Sequence, residues 1–171
     1  MIEGKIENFD LENVLRAARR PVMIPGMEGE MIEDPVAQSI LKVGPEQLRD
    51  VTTFLAENGV LGLEPLAGAY GTGAVVLDAG DRVVRLSRSA PPLRPNTPFV
   101  LQPSVVTTVG EISVEIMLKL ETGSISDADV VSVQRELGKL GYIWDDAGAD
   151  NLGRDSDGKL WVIDGSVTKR G

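Results

Sequence analysis

The chain has 171 residues and a formal net charge of −9, and it contains neither cysteine nor histidine. The missing cysteine excludes a disulfide frame and thiolate chemistry, and the missing histidine excludes zinc sites and imidazole acid–base catalysis. The negative charge argues against nonspecific binding to nucleic acid or anionic membranes, and any divalent metal must be a hard cation on oxygen ligands.

An apolar fraction of 42% and a charged fraction of 25% permit an ordinary globular core. The length suits one domain, or one domain with a small appendage. No 18-residue apolar run occurs, and the opening "MIEGKIENFD" has no signal-peptide core, so a soluble, cytoplasmic protein is expected.

Residues 8–20 read as a short helix, with Asn8 or Asp10 at its start and Arg16, Arg19 and Arg20 in its last turn. A loop with Pro21, Pro25, Gly26 and Gly29 follows, then a weaker helix over "DPVAQSILKV". The segment "GPEQLRDVTTFLAENGV" has a proline start signal at Pro45 and a stop at Asn58-Gly59. Leu48, Val51, Phe54 and Leu55 give it one apolar face.

From residue 64 the period changes. Two β-runs, 74–78 and 82–87, are joined by the turn "DAGD". The stretch "SAPPLRPNTP" holds four prolines and is irregular. Two more β-runs, "FVLQPSVVTTV" and "ISVEIMLKL", flank Gly110. A long helix follows over "SISDADVVSVQRELGKLGY", capped by Ser126 or Asp127, with Val130, Val133 and Leu137 as its stripe. The chain then forms a hairpin from "NLGR" and "LWVID" around the turn "DSDG". This order reads as α+β, with a small antiparallel sheet, a long helix and a C-terminal hairpin. Residues 1–60 read as a helical segment packing on a core of residues 61–171.

Three features carry chemistry. Gly68-Ala-Tyr-Gly71-Thr-Gly73 opens the first β-hairpin, where glycines let backbone N–H groups approach a phosphate. It is neither a Walker A loop nor a dinucleotide fingerprint, since no Gly-Lys-Ser/Thr and no helix follow. Arg85 lies on the next β-run, where it reads either as a cation reaching phosphates or as one more residue of a solvated face with Arg82 and Arg88. The third feature is "WDDAGADNLGRDSDGKLWVIDGSV", which holds six aspartates. A carboxylate such as Asp164 at the end of a buried strand is costly unless it is paired or ligates a cation.

In that stretch Asp146-Ala-Gly-Ala-Asp-Asn151 has the form D-x-x-x-x-N, and Asp164 follows thirteen residues after Asn151. This pattern resembles the protein-kinase-like superfamily, which includes the aminoglycoside-phosphotransferase-type small-molecule kinases. The resemblance covers residues 64–166 and implies a minimal kinase-like fold using ATP and Mg²⁺. It implies that Asp146 orients or deprotonates an acceptor hydroxyl, that Asn151 and Asp164 hold the metal, and that Gly68, Gly71, Gly73 and Arg85 bind the nucleotide.

The sequence departs from that pattern in places. Arg85 stands for the family's lysine, and Trp144-Asp145 stands for its common His-Arg. The helix that normally supplies a glutamate to the lysine has no room in 89–98, and the helix at 45–58, with Glu46 and Glu57, is the substitute considered. The chain stops six residues after Gly165, so neither an activation segment nor peptide-docking helices are expected. A catalytically inactive kinase-like protein that regulates a partner, contacted through residues 1–60, is the alternative. So compact a chain suggests a bacterial or phage-encoded accessory protein.

Other readings of the acidic stretch fit less well. An EF-hand loop would place Gly153 first and Asp164 last, between strands instead of helices. A glycosidase pair of Asp145 or Asp146 with Asp164 has no cluster of sugar-stacking aromatics beside it. Asp155 and Asp157 read as solvated turn residues.

Overall fold

The computed structural model describes residues 10–21, 25–26, 30–66 and 73–170. Its fold is α+β, and its strands pair antiparallel. The chain divides into two compact units, 1–90 with 104–118, and 91–103 with 119–171. The units therefore part at three points in the chain rather than at residue 60.

In the first unit, helix α1 (Leu11–Ala17) starts at Asp10, whose carboxylate accepts the N–H groups of Glu12 and Asn13. It ends earlier than the charge pattern predicts. Ala18 is extended, and Arg19 and Arg20 enter strand β1 (Arg19–Pro21), which pairs with β2 (Met31–Glu33). Two forces oppose a longer helix. Pro21 disfavours helical geometry at the residue before it, and Arg20 is drawn to the buried Asp34 at 3.0 Å. Asp34 also caps α2 (Pro35–Leu41). Helix α3 (Pro45–Glu57) begins and ends at the proline and asparagine read as its signals.

Five strands follow: β3 (Glu64–Pro65), β4 (Val75–Asp78), β5 (Arg82–Ser87), β6 (Val105–Val109) and β7 (Ile112–Leu118). Their spatial order is β3-β4-β5-β7-β6. Side chains alternate across a strand, so Val84 and Leu86 of β5 lie on one face with Ile112, Val114 and Ile116 of β7. That face packs with Leu15, Ile40, Val51 and Leu55 from the three helices into one core. The helices of residues 10–60 thus belong to the same unit as the sheet. The β-run read over 99–109 is a strand only from Val105, because the chain before it belongs to the other unit.

The opposite face of the sheet carries a buried charge pair. Arg85 and Glu115 are directly opposed in the register of β5 and β7, and Arg85 Nη1 lies 3.2 Å from Glu115 Oε1. Their exposures are 8% and 2%, so the solvated-face reading of Arg85 is incorrect. The carboxylate beside Arg85 comes from the neighbouring strand, not from Glu46 or Glu57.

In the second unit, helix α4 (Asp127–Lys139) opens with a reciprocal cap between Ser126 and Asp129. Four short strands follow: β8 (Tyr142–Trp144), β9 (Leu152–Arg154), β10 (Leu160–Val162) and β11 (Val167–Lys169). β9 pairs with β10, and β8 with β11. Val130, Val133 and Leu137 of α4 pack with Val100, Trp144, Leu152, Val162 and Val167 into a second core. Among the described residues no helix is long and apolar enough to cross a membrane.

Removing one member of a buried ion pair leaves a charge in a dry environment. Glu115→Ala should therefore destabilise the protein by about 3–5 kcal/mol in urea unfolding. Glu115→Gln leaves the same Arg85 charge uncompensated and should also be strongly destabilising; a Glu115→Gln variant as stable as the wild type would contradict a charge-pair role.

Candidate functional site

The residues that carry the D-x-x-x-x-N pattern lie on the connection between β8 and β9. β8 ends at Trp144, and Asp146 takes a left-handed backbone conformation, φ 59°, that non-glycine residues seldom adopt. A single 3-10 turn at Ala149–Asn151 then brings the chain back towards Asp146, with the Asn151 N–H donating to Gly148 O at 3.0 Å.

Asn151 is 3% exposed and joins the segments around it. Its Nδ2 donates to the Asp146 carbonyl at 2.7 Å and lies 3.5 Å from Asp146 Oδ2. Its backbone carbonyl accepts the N–H of Ile163 at 2.9 Å and, more weakly, that of Asp164 at 3.4 Å. Its Oδ1 is buried without a hydrogen-bond partner. A buried acceptor left unsatisfied costs roughly 1–3 kcal/mol, and such an atom calls for an explanation.

Asp164 is also buried, 6% exposed. It lies two residues beyond the end of β10, in the connection to β11, and not within a strand. Its carbonyl accepts the indole N–H of Trp144 at 3.1 Å. Next to it, Gly165 has φ +87°, and a Cβ there would lie 2.5 Å from Asp145 O and 2.9 Å from Trp144 Nε1. Both the backbone conformation and the close approach demand glycine. The neighbouring Asp145 N–H donates to Ser166 O at 2.8 Å.

Asp146, Asn151 and Asp164 are thus brought into one hydrogen-bonded group. Gly68 and Gly71 lie outside the described residues. Gly73 and Arg85 belong to the first unit, where Gly73 O accepts the Ser87 hydroxyl at 2.6 Å. A Cβ at Gly73 would meet nothing within 4 Å, so no local contact requires glycine there.

Among the turn aspartates, Asp155 has a structural task. Asp155 accepts the Trp161 indole N–H at 2.9 Å and the backbone N–H groups of Lys159 and Asp157. The Trp161 bond, followed by those backbone bonds, holds its carboxyl below the ordinary aspartate range. Asp155 and Asp157 belong to the turn between strands β9 and β10, with no helix of an EF-hand on either side; Asp157 is exposed, as the solvated-turn reading expects, whereas the Asp155 carboxylate is engaged by the turn itself.

Sequence reasoning passed over Glu115, Gly165 and the second role of Trp144. Glu115 leaves a signal, a carboxylate inside the otherwise apolar run "ISVEIML". The requirement for glycine at 165 is visible only once the Asp145 carbonyl is seen against it.

The donor set suits a hard cation. Amide oxygen and carboxylate oxygen, which Asn151, Asp146 and Asp164 carry, are the kind of ligands Mg²⁺ takes, and Mg²⁺ commonly uses one or two protein carboxylates together with substrate phosphates. Among the described residues no group of three or more carboxylates is gathered that could hold a metal by itself.

No protein-family model matches the sequence, and no curated protein matches it. Among solved structures, the bifunctional kinase-methyltransferase WbdD is similar at 15% identity and a TM-score of 0.43. The match covers 60% of this chain and 32% of that one, a likeness too loose to bear on chemistry.

Gly165→Ala should lower stability by at least about 1–3 kcal/mol, the usual cost of a non-glycine residue in this region of backbone space. The loss would appear as a fall of roughly 2–12 °C in the unfolding midpoint. The near-UV circular dichroism of Trp144 should change with it. An unchanged midpoint would contradict the Gly165 geometry.

Proposed function

We propose that the protein is a phosphotransferase of minimal kinase-like fold that uses ATP and Mg²⁺ and acts on a hydroxyl acceptor. The observation that carries this reading is the buried, unpartnered Oδ1 of Asn151, on a residue whose backbone carbonyl faces the Asp164 N–H and whose amide holds Asp146. Three residues with the family's spacing share one hydrogen-bonded group, and the one unsatisfied atom belongs to the residue to which the family pattern gives a metal-binding role.

Asn151 Oδ1 and the Asp164 carboxylate would hold the metal. When bound, Mg²⁺ neutralises charge on the nucleotide phosphates. Asp146 presents its carboxylate to the acceptor hydroxyl, orients it and takes its proton. The Asn151 amide keeps that carboxylate in place through its bonds to the Asp146 carbonyl and Oδ2. Chemistry of this kind is mainly positioning and electrostatic stabilisation, so a fixed framework matters more than covalent catalysis. Gly68, Gly71, Gly73 and Arg85 are assigned to the nucleotide by the resemblance alone.

A second reading, a kinase-like protein that binds but does not turn over, is favoured by one observation. The cation in the lysine's place is an arginine engaged by Glu115 within the sheet. An arginine fork and a lysine ammonium are not interchangeable. In this reading residues 1–60 meet the regulated partner, and exposed Met31 and Ile32 on β2 belong to that segment.

Thermal unfolding separates these readings from none at all. Mg-ATP at one hundred times its dissociation constant stabilises by about 2.7 kcal/mol, a rise of roughly 5–11 °C for a chain of this size. Asp164→Ala should remove the rise, and a wild type unmoved by Mg-ATP would defeat the proposal. Asp146→Asn should keep the rise and lose about 10²–10⁴-fold in turnover, the usual contribution of a general base. If the wild type shows the rise but no phosphoryl transfer to water or to any hydroxyl tested, the second reading holds.

A further inference from the structure

Between β5 and β6 the chain leaves the first unit and contributes residues 91–103 to the second. This proline-rich strap holds the backbone on both sides of Asp164. The Val162 N–H donates to Phe99 O at 2.6 Å, and the Leu101 N–H donates to Val162 O at 3.0 Å. Arg94 Nη1 donates to Ile163 O at 2.9 Å. Beyond the aspartate, the Leu93 N–H donates to Ser166 Oγ at 3.2 Å, and the Val167 N–H donates to Leu93 O at 3.0 Å. Residues 162, 163, 166 and 167, on both sides of Asp164-Gly165, are therefore all tied to the strap.

The strap is itself stiff. Pro91, Pro92, Pro95, Pro98 and Pro103 restrict its backbone. Gln102 Nε2 closes it internally by donating to Arg94 O at 3.2 Å and to Pro95 O at 2.9 Å. An irregular segment of this composition has little backbone entropy left to lose and can serve as a fixed support.

Arg94 acts on one particular peptide. The unit joining Ile163 to Asp164 is planar, so its C=O and N–H turn together. Arg94 holds the C=O, and the N–H points at Asn151 O. Fixing both ends fixes the rotation of the plane, and that rotation sets the direction in which the Asp164 side chain leaves the backbone.

We propose that Arg94 is a positioning residue: by clamping the Ile163–Asp164 peptide it aims the Asp164 carboxylate alongside Asn151 Oδ1. The ligand of that pair rests on the phosphotransferase reading, whereas the clamp itself can be tested without any ligand.

The test uses the full chain as wild type, Arg94→Ala and Arg94→Lys. Amide hydrogen exchange reads local opening directly. Arg94→Ala should speed exchange at residues 163–166 by about tenfold or more while leaving the α4 amides unchanged, because the local clamp, not the fold, has been removed. Arg94→Lys can still donate to Ile163 O and should restore most of the protection. With ATP present, the Mg²⁺ concentration giving half the thermal shift should rise about 10–100-fold in Arg94→Ala, as when a support behind a metal ligand is lost. The shift produced by ATP in EDTA should not change.

Unchanged exchange at 163–166 would overturn the proposal, as would an equal rise across α4. If Arg94→Ala does not fold, Arg94→Gln and Arg94→Lys decide by the same comparison. A wild type that never responds to Mg-ATP would defeat the phosphotransferase reading and leave the exchange data to decide the clamp.

Discussion

The second unit is organised by the hydrogen bonding of Asn151. Its amide nitrogen binds the Asp146 carbonyl, its own carbonyl receives Ile163 and Asp164, and its side-chain oxygen is left without a donor. These bonds tie the β8–β9 connection to the β10–β11 connection. Both connections are short and irregular, and neither has ladder bonds of its own to hold it. A buried side chain with two donors and one acceptor is suited to this, provided each polar atom is answered. The unanswered Oδ1 is the exception, and in a dry interior it is where a ligand would gain most from binding.

The surroundings reinforce that joint without adding apolar volume. Trp144 packs in the second core and still donates its indole N–H to Asp164 O. Gly165 permits the turn that Asp145 O and the Trp144 ring would deny to any side chain. The strap residues Leu93, Arg94, Phe99 and Leu101 take up backbone groups on either side. Asp164 is buried in a frame made mostly of backbone hydrogen bonds, which keep their geometry better than side-chain contacts on a surface. The Asp146 backbone, held at positive φ, stores strain in the same place, as functional loops often do.

In the first unit the comparable constraint is charge in the interior. Arg85 with Glu115, and Arg20 with Asp34, are ion pairs with little solvent. Arg20 also donates to Ala74 O at 2.8 Å, so a residue of the N-terminal segment fixes the backbone just beyond the glycine-rich stretch. Burying ions is expensive, and such pairs are weak sources of net stability. Their effect is on register: a one-residue slip between β5 and β7 would separate Arg85 from Glu115 and turn the apolar set away from the helices.

Much of this was legible in the sequence because it depends on neighbours in the chain. The period and capping of α3 and α4, the three β-hairpins and the α+β order follow from spacing and from Pro45, Asn58-Gly59 and Ser126. The spacing of Asp146, Asn151 and Asp164 likewise marked out the residues that share one group. The early end of α1, the Glu115 partner of Arg85, the need for glycine at 165 and the strap behind Asp164 were not legible. Each depends on residues distant in sequence: Arg20 on Asp34, β5 on β7, Gly165 on Asp145, and Arg94 on Ile163. Local pattern therefore determined most of the elements that form and which residues gather around Asn151. Only the tertiary structure decided what each buried polar group faces, because hydrogen-bond partners in an interior are chosen by geometry across the fold.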